Sequence, residues 1–186
     1  EAYHEYVDKA LRPNSLGLLA ARPRTVILRT FSKAYGLAGL RCGYALMSEG
    51  LSHHINQVRT PFNVNTIAQV GAIAALDDQT SLRRTYKFNR HHREWLRDEL
   101  TVRGFSVTPS HANFLLVDFG QAAMPIYQRL LEQGVITRPM AVYGMPNSLR
   151  ISIGLPSELQ RLLAIIDADV ECPSQQAPVR SSASRA

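Results

Sequence analysis

This sequence predicts an α/β architecture, and three observations carry that prediction. The stretch Thr25 to Tyr44, TVILRTFSKAYGLAGLRCGY, sets a short apolar run before a glycine-containing turn and a second strand-like run after it. Val26, Ile27 and Leu28 have the unbroken apolar character of a strand buried on both faces of a parallel sheet. Farther on, Leu82, Tyr86, Leu96 and Leu100 recur at spacings that put one side of a long helix, Arg83 to Arg103, into a core. From Phe105 to Ile166, short apolar segments alternate with helical ones, the pattern of strands covered by helices.

Taken in order, Leu11 to Arg24 contains Pro13, Asn14, Gly17 and Pro23 and is expected to be a loop with at most one helical turn, at Leu16 to Ala21. After Lys33, Gly36 and Gly39 permit a tight turn, and Arg41 opens the run Cys42 to Met47. Ser48 to Gln57 starts a helix that Pro61 to Asn65 breaks. Thr66 to Leu76 is apolar on nearly every side and reads as a buried helix. The long helix ends near Gly104, a residue suited to a C-cap. Strands follow at Phe105 to Thr108 and Phe114 to Phe119, then a helix from about Ala122 to Gln133 stopped by Gly134, and strands at Val135 to Thr137 and Leu149 to Ile153. Ser157 with Gln160 three residues later reads as a capping box opening the last helix, through Leu159, Leu162, Leu163 and Ile166. Beyond Glu171, CPSQQAPVRSSASRA has the composition of a disordered tail.

Composition narrows the function classes. At 186 residues with 45% hydrophobic content, the chain can form one large domain or parts of two, each with a real core. The longest apolar runs fall far short of the ~18 residues of a spanning helix, and Glu1 to Ala20 shows no secretory signal. Cys42 and Cys172 suggest no disulfide framework, so a reducing cytoplasm is the expected setting. A formal net charge of +6 raises the question of nucleic acid. The seven basic residues from Arg83 to Arg103 alternate with acids on one helix and read as its solvated face, so no nucleic-acid partner is expected. The adjacent pairs His53–His54 and His91–His92 do not share a helix face, so no metal site is expected from them.

Chemistry concentrates at Lys33. A lysine at the end of a buried strand is partly desolvated, which disfavours its charged form and makes its amine a nucleophile toward a carbonyl. Arg41 lies eight residues on, across a turn that can return it to the same end of the sheet. That suits a cofactor with an aldehyde and a phosphate: pyridoxal phosphate needs a lysine for the aldehyde and a planar cation for the phosphate, with hydroxyls such as Thr30 and Ser32 as further donors. By themselves, these residues read more readily as an ordinary strand-end lysine and a surface arginine.

The wider segment RTFSKAYGLAGLRCGY closely resembles the cofactor-lysine segment of the fold-type I aminotransferases, and in particular the histidinol-phosphate aminotransferases. Further matches follow in that family's order: RTPFNVNTIAQ, SHANFLLVDF, GVITRPM and YGMPNSLRISIG, reaching to about Leu163. The resemblance implies that Lys33 bonds the cofactor's aldehyde, that Arg41, Ser32 and Thr30 hold its phosphate, and that Tyr3 bonds the ring oxygen from the end of a strand. It also implies the C-terminal part of a fold-type I pyridoxal-phosphate-dependent transferase: the end of the large-domain sheet (residues 1–78), a long connecting helix (79–103) and a small α/β domain (104–170), followed by the tail (171–186). The family's aspartate before the Glu-Ala-Tyr of residues 1–3, its ring-stacking aromatic and its glycine turn are absent, so this chain is expected to bind cofactor poorly and to be inactive by itself. Missing strands would also leave unpaired edges and favour association.

In the strand LRISIG, period-two alternation sends Leu149, Ile151 and Ile153 to one face and Arg150 and Ser152 to the other. An arginine there can pair with a substrate carboxylate or can be an ordinary surface residue; the resemblance assigns it the α-carboxylate. Asn113 is a second candidate for that carboxylate, and Arg138 one for the phosphate of an imidazole substrate. The implied activity is transamination of histidinol phosphate with 2-oxoglutarate, on small amino-acid and oxo-acid substrates, by a cytoplasmic homodimer. An aromatic aminotransferase, a phosphothreonine decarboxylase or a noncatalytic assembly module are the alternatives.

Overall fold

β1, Ile27–Thr30, and β2, Gly43–Leu46, pair antiparallel, with Ile27 opposite Leu46 and Thr30 opposite Gly43. They belong to a computed structural model that describes residues 1–171; Cys172 and the rest of the tail lie outside the described residues. The chain divides into two compact units, Glu1–Arg90 with His111–Asn113, and His91–Ser110 with the chain from Phe114 on.

In the first unit, the expected strand buried on both faces is corrected. Ile27 is buried, but Val26 is 39% and Leu28 62% exposed. A two-stranded ribbon covered on one side turns alternate residues outward. Gly43 allows the ribbon to close: a Cβ there would lie 2.7 Å from the Arg29 carbonyl oxygen. Helix α1, Ser15–Ala21, runs about two turns rather than one, because the Asn14 side chain accepts the Gly17 N–H at 3.0 Å and caps it. Helix α2, Glu49–Val58, ends before Pro61 as expected. Helix α3, Thr66–Asp77, is capped by Asn65, whose side chain accepts the Ala68 N–H at 2.8 Å.

The reading of α3 as a buried helix is also corrected. Only Ala68 and Ala72 are buried, whereas Ile67, Val70 and Ile73 are 74%, 62% and 63% exposed. Small residues let this side approach the turn before Arg41, and a Cβ on Gly71 would lie 2.8 Å from Leu40 Cδ1. Tyr3 is not at a strand end: it precedes a short 3-10 turn, His4–Tyr6, within which no sheet partner is available.

Helix α4, Gln79–Val102, starts in the first unit and ends in the second. Asp78 accepts the Ser81 N–H at its start. Leu96 and Leu100 are buried and Leu82 and Tyr86 half-buried, as the periodicity predicts. Arg93 departs from the solvated-face reading, since it is only 6% exposed.

The second unit is a four-stranded antiparallel sheet in the order β3 (Ser106–Thr108), β4 (Phe114–Asp118), β6 (Ser148–Ser152) and β5 (Arg138–Pro139). Helices α5, Ala123–Glu132, and α6, Pro156–Asp169, supply Ile126, Leu130, Leu162 and Ile166 to a core with Leu115, Val117, Leu149 and Ile151. Gly104 takes a left-handed φ of 88° just beyond α4. The strand expected at Val135 to Thr137 instead forms one step later, at Arg138–Pro139, where pairing to Arg150 and Leu149 is available. The capping box is also displaced. Glu158, not Gln160, closes the helix start by accepting the Leu155 N–H at 2.7 Å, because Pro156 already occupies the first helical position.

Candidate functional site

The loop from Ser32 to Arg41 is closed by the β-ribbon. The Phe31 N–H donates to the Cys42 carbonyl at 3.1 Å, and the Leu37 N–H donates to the Phe31 carbonyl at 2.9 Å. Ser32 and Arg41 are the chain neighbours of that bonded pair, so they leave the end of the ribbon side by side. Within the loop, Gly36 at φ 71° lets its N–H return to the Lys33 carbonyl at 2.9 Å.

Arg41 itself adopts a left-handed backbone, φ 57° and ψ 45°, a conformation an L-residue other than glycine enters at a cost of roughly 1 kcal/mol. One guanidinium nitrogen donates to the Ala38 carbonyl at 2.9 Å, which fixes the side chain over the turn while the residue remains exposed. Strain of this kind collects where a side chain must be aimed. Thr30 Oγ1 accepts the Ser32 N–H at 3.1 Å and keeps its own O–H for another acceptor. The Thr30 hydroxyl at the end of β1 and the Ser32 hydroxyl, the Lys33 amine and the Arg41 guanidinium of the loop that follows thus make a donor set whose chemistry fits a phosphate and an aldehyde. The residues expected from the sequence to hold pyridoxal phosphate therefore fit that group.

Tyr3 joins this set: the Lys33 Nζ lies 5.6 Å from its ring centroid. Phe31 packs against Tyr35 and Tyr44, with centroids 5.1 Å and 5.7 Å away, and anchors the base of the loop. Lys33 is exposed, so the desolvation expected of it at a buried strand end is not supplied by its neighbours in this chain.

Sequence reasoning missed the network around Glu1. The Glu1 carboxylate accepts from Ser15 Oγ, and Arg29 Nε and Nη2 each reach it at 2.9 Å. Burial pushes the Glu1 carboxyl up, but the Ser15 and Arg29 hydrogen bonds outweigh it and hold the carboxyl below its ordinary range. Burial, reinforced by the Arg29 charge, pushes the His4 imidazole down. The only sequence signal for this network was the alternation that puts Arg29 on the same face as buried Ile27, opposite exposed Leu28.

Asn113 is half-buried in the bend before β4. The neighbouring Ala112 carbonyl accepts from the buried Asn89 side chain at 3.2 Å, which ties residues 111–113 to α4. Nothing in the sequence singled out Asn89.

In the second unit, Arg138 and Arg150 face each other directly across β5 and β6. Directly opposed residues share a sheet face, and like charges there are destabilising unless an anion joins them. Arg150 carries its guanidinium 5.0 Å above the Phe114 ring, and its Nε is buried with no hydrogen-bond partner among the described residues. Arg138 donates to the Tyr143 hydroxyl at 2.8 Å. Leu149 and Ile151 point into the core, as the alternation predicts.

The sequence matches the model of the aminotransferase class I and II family over residues 1–166. It is 49% identical over 163 residues to histidinol-phosphate aminotransferase 2 of Pseudomonas aeruginosa, covering 88% of this chain and 44% of that protein. To histidinol-phosphate aminotransferase 2 of Pasteurella multocida it is 47% identical, covering 90% of this chain and 46% of that protein. The chain thus spans less than half the length of these curated relatives. Among solved structures, histidinol-phosphate aminotransferase from Sinorhizobium meliloti in complex with pyridoxal-5'-phosphate superposes with a TM-score of 0.82 at 32% identity, over 90% of this chain and 48% of that one. L-threonine-O-3-phosphate decarboxylase from Porphyromonas gingivalis shares the fold, with a TM-score of 0.74 at 21% identity over 90% of this chain and 53% of that one. With a fold-type I architecture and a family match covering most of its length, the chain belongs to the class I and II aminotransferases.

Proposed function

We propose that this chain carries the cofactor lysine and the substrate arginines of a pyridoxal-phosphate-dependent aminotransferase acting on histidinol phosphate with 2-oxoglutarate. The observation that carries the cofactor part is the closed loop Ser32–Arg41, which holds Ser32, Lys33 and Arg41 at the end of the ribbon strand that ends in Thr30. Lys33 would hold the cofactor's aldehyde, Arg41, Ser32 and Thr30 its phosphate, and Tyr3 its ring oxygen. When bound, the cofactor supplies an electron sink for the bond broken at the substrate's α-carbon. The Lys33 amine, once freed, would take the proton from that α-carbon as general base and deliver it, as general acid, to the carbon that had been the cofactor's aldehyde.

Arg150 supports a carboxylate role, because its buried Nε lacks a partner and its planar fork matches two oxygens. Arg138, opposite it on the same face, would receive the substrate's phosphate, and Asn113 is a further candidate for a carboxylate. The 47–49% identity to histidinol-phosphate aminotransferases supports the choice of substrate. The same reading takes the enzyme to be a cytoplasmic homodimer without nucleic-acid or membrane partners. Among the described residues, no helix is long and apolar enough to cross a membrane.

The test is the visible spectrum of the purified chain with added pyridoxal phosphate, before and after borohydride reduction, followed by peptide mapping. Because the chain is expected to bind the cofactor poorly, the expected result is a substoichiometric label that favours Lys33 over Lys9 and Lys87 and that Arg41→Ala weakens. Label spread evenly over the three lysines, or labelling of Lys33 that ignores Arg41, would sink the assignment.

A further inference from the structure

Outside the lysine loop, the first unit contains a cavity of about 470 Å³ lined by four cations, Lys9, Arg12, Arg83 and Lys87. Two of them are held by the protein. Arg12 donates from Nε to the Val7 carbonyl at 3.0 Å and from Nη2 to the Glu5 carbonyl at 3.4 Å, and Arg83 donates to Thr80 Oγ1 at 3.3 Å. None of the four forms an ion pair with a carboxylate among the described residues. The nearby Asp8 is instead occupied by the Tyr86 hydroxyl and Arg90. Glu5 is the one carboxylate in the lining, and it is 8% exposed.

Arg83 feels the Asp78 carboxylate, and Arg12 that of Glu5, only without a direct ion pair, so the four cations still repel one another around one concavity, and an anion with several oxygens relieves that repulsion. The remaining wall is different in character, since Val7, Leu82 and the Tyr86 ring give it an apolar side. Its volume lies within the roughly 300–1,000 Å³ of small-molecule sites. We propose that this cavity binds a small organic phosphate, its phosphate among Lys9, Arg12, Arg83 and Lys87 and its body against Val7, Leu82 and Tyr86. The site is separate from the residues assigned to the cofactor and does not depend on that assignment.

The sequence has three lysines, Lys9, Lys33 and Lys87, and the first and last line the cavity. Reductive methylation read lysine by lysine by mass spectrometry therefore reports its occupancy, with phenyl phosphate as the probe. The Arg41→Ala background removes the anion ligand beside Lys33. Phenyl phosphate should slow Lys9 and Lys87 together by about fivefold along one saturation curve, leaving Lys33 unchanged. Inorganic phosphate should need a concentration about threefold higher, because it cannot use the apolar wall. Arg83→Gln, at an exposed helix position that tolerates the change, should raise the required phenyl phosphate about tenfold. The proposal is overturned by equal slowing of all three lysines, which is charge screening alone. It is equally overturned by no slowing, by protection that survives Arg83→Gln, or by equal potency of the two probes.

Discussion

Among the described residues, the second unit gathers seventeen buried hydrophobic side chains into one cluster, whereas the first gathers four, Phe31, Cys42, Ala68 and Ala72. The second is therefore expected to be stabilised by its own core, and the first to be held by local devices: caps at Asn14 and Asn65, the Glu1–Arg29 pair and the ribbon closed at Gly43. The first unit also leaves Ile67, Val70 and Ile73 of α3 and Phe62 to solvent. The Lys33 loop falls in the first unit, where it can hold Arg41 in a left-handed backbone.

The sharpest way to break this comparison is by core truncation. Leu149→Ala, at a fully buried position of β6, should lower the stability of the second unit by about 2–5 kcal/mol. Ile73→Ser, at a 63% exposed position of α3, should change stability by no more than about 0.5 kcal/mol. Chemical denaturation of both variants checks this, and equal losses would mean that the outer side of α3 is covered in solution.

Next in size is Arg41. Arg41→Ala should weaken cofactor binding by about 1.5–3 kcal/mol, the range of a hydrogen bond to a charged group, read by spectrophotometric titration. The second unit's fold should be unaffected, which near-ultraviolet circular dichroism can report.

Smaller effects distinguish the units by pH. In the second, Arg103 donates to Asp167 at 2.6 Å and 2.8 Å and to Glu99 at 2.7 Å. The Arg103 bonds hold the Asp167 carboxyl below its ordinary value, so this contribution is present above about pH 4 and fades as pH falls through the depressed value. With Asp167 exposed and Arg103 half-buried, the pair should give up only about 1 kcal/mol in Arg103→Ala, which should also flatten the acid limb of unfolding. Glu5 in the first unit has the opposite sign. Burial pushes its carboxyl up, so its contribution is full below the ordinary glutamate value near 4.3 and is lost as pH rises through the raised one. Glu5→Gln should remove that loss, and thermal melts between about pH 4 and 7 measure it.

The smallest expected effect is at Thr137, whose hydroxyl is buried without a partner among the described residues. Thr137→Val keeps the shape and removes the orphaned group, so stability should hold or rise by up to about 1 kcal/mol. A loss of that size would reveal a hydrogen bond to water.

Much of this was legible in the residues. Pro61, Gly104 and Gly134 punctuate the chain because their backbone preferences are local. The alternation around Arg150 survives because a strand with one buried face has a fixed period. The parallel, doubly buried reading of Val26–Leu28 failed for a different reason: apolar character does not say how many faces are covered. The same limit applies to α3, whose apolar residues meet the Leu37–Leu40 turn on one side only. Ser157 and Gln160 fit a capping pattern, but Pro156 fixed the helix start one step earlier and gave the role to Glu158.

The sequence by itself determined the lysine, the glycine turn, the arginine after it and the order of the elements, since each rests on side-chain chemistry or on short-range backbone preference. Only the tertiary structure decided that Glu1 pairs with Arg29, that Tyr3 lies beside Lys33, that Asn89 ties down the segment before β4, and that Arg138 faces Arg150. Those pairings join residues far apart in the chain, and their distances are set by register and packing that no local pattern encodes.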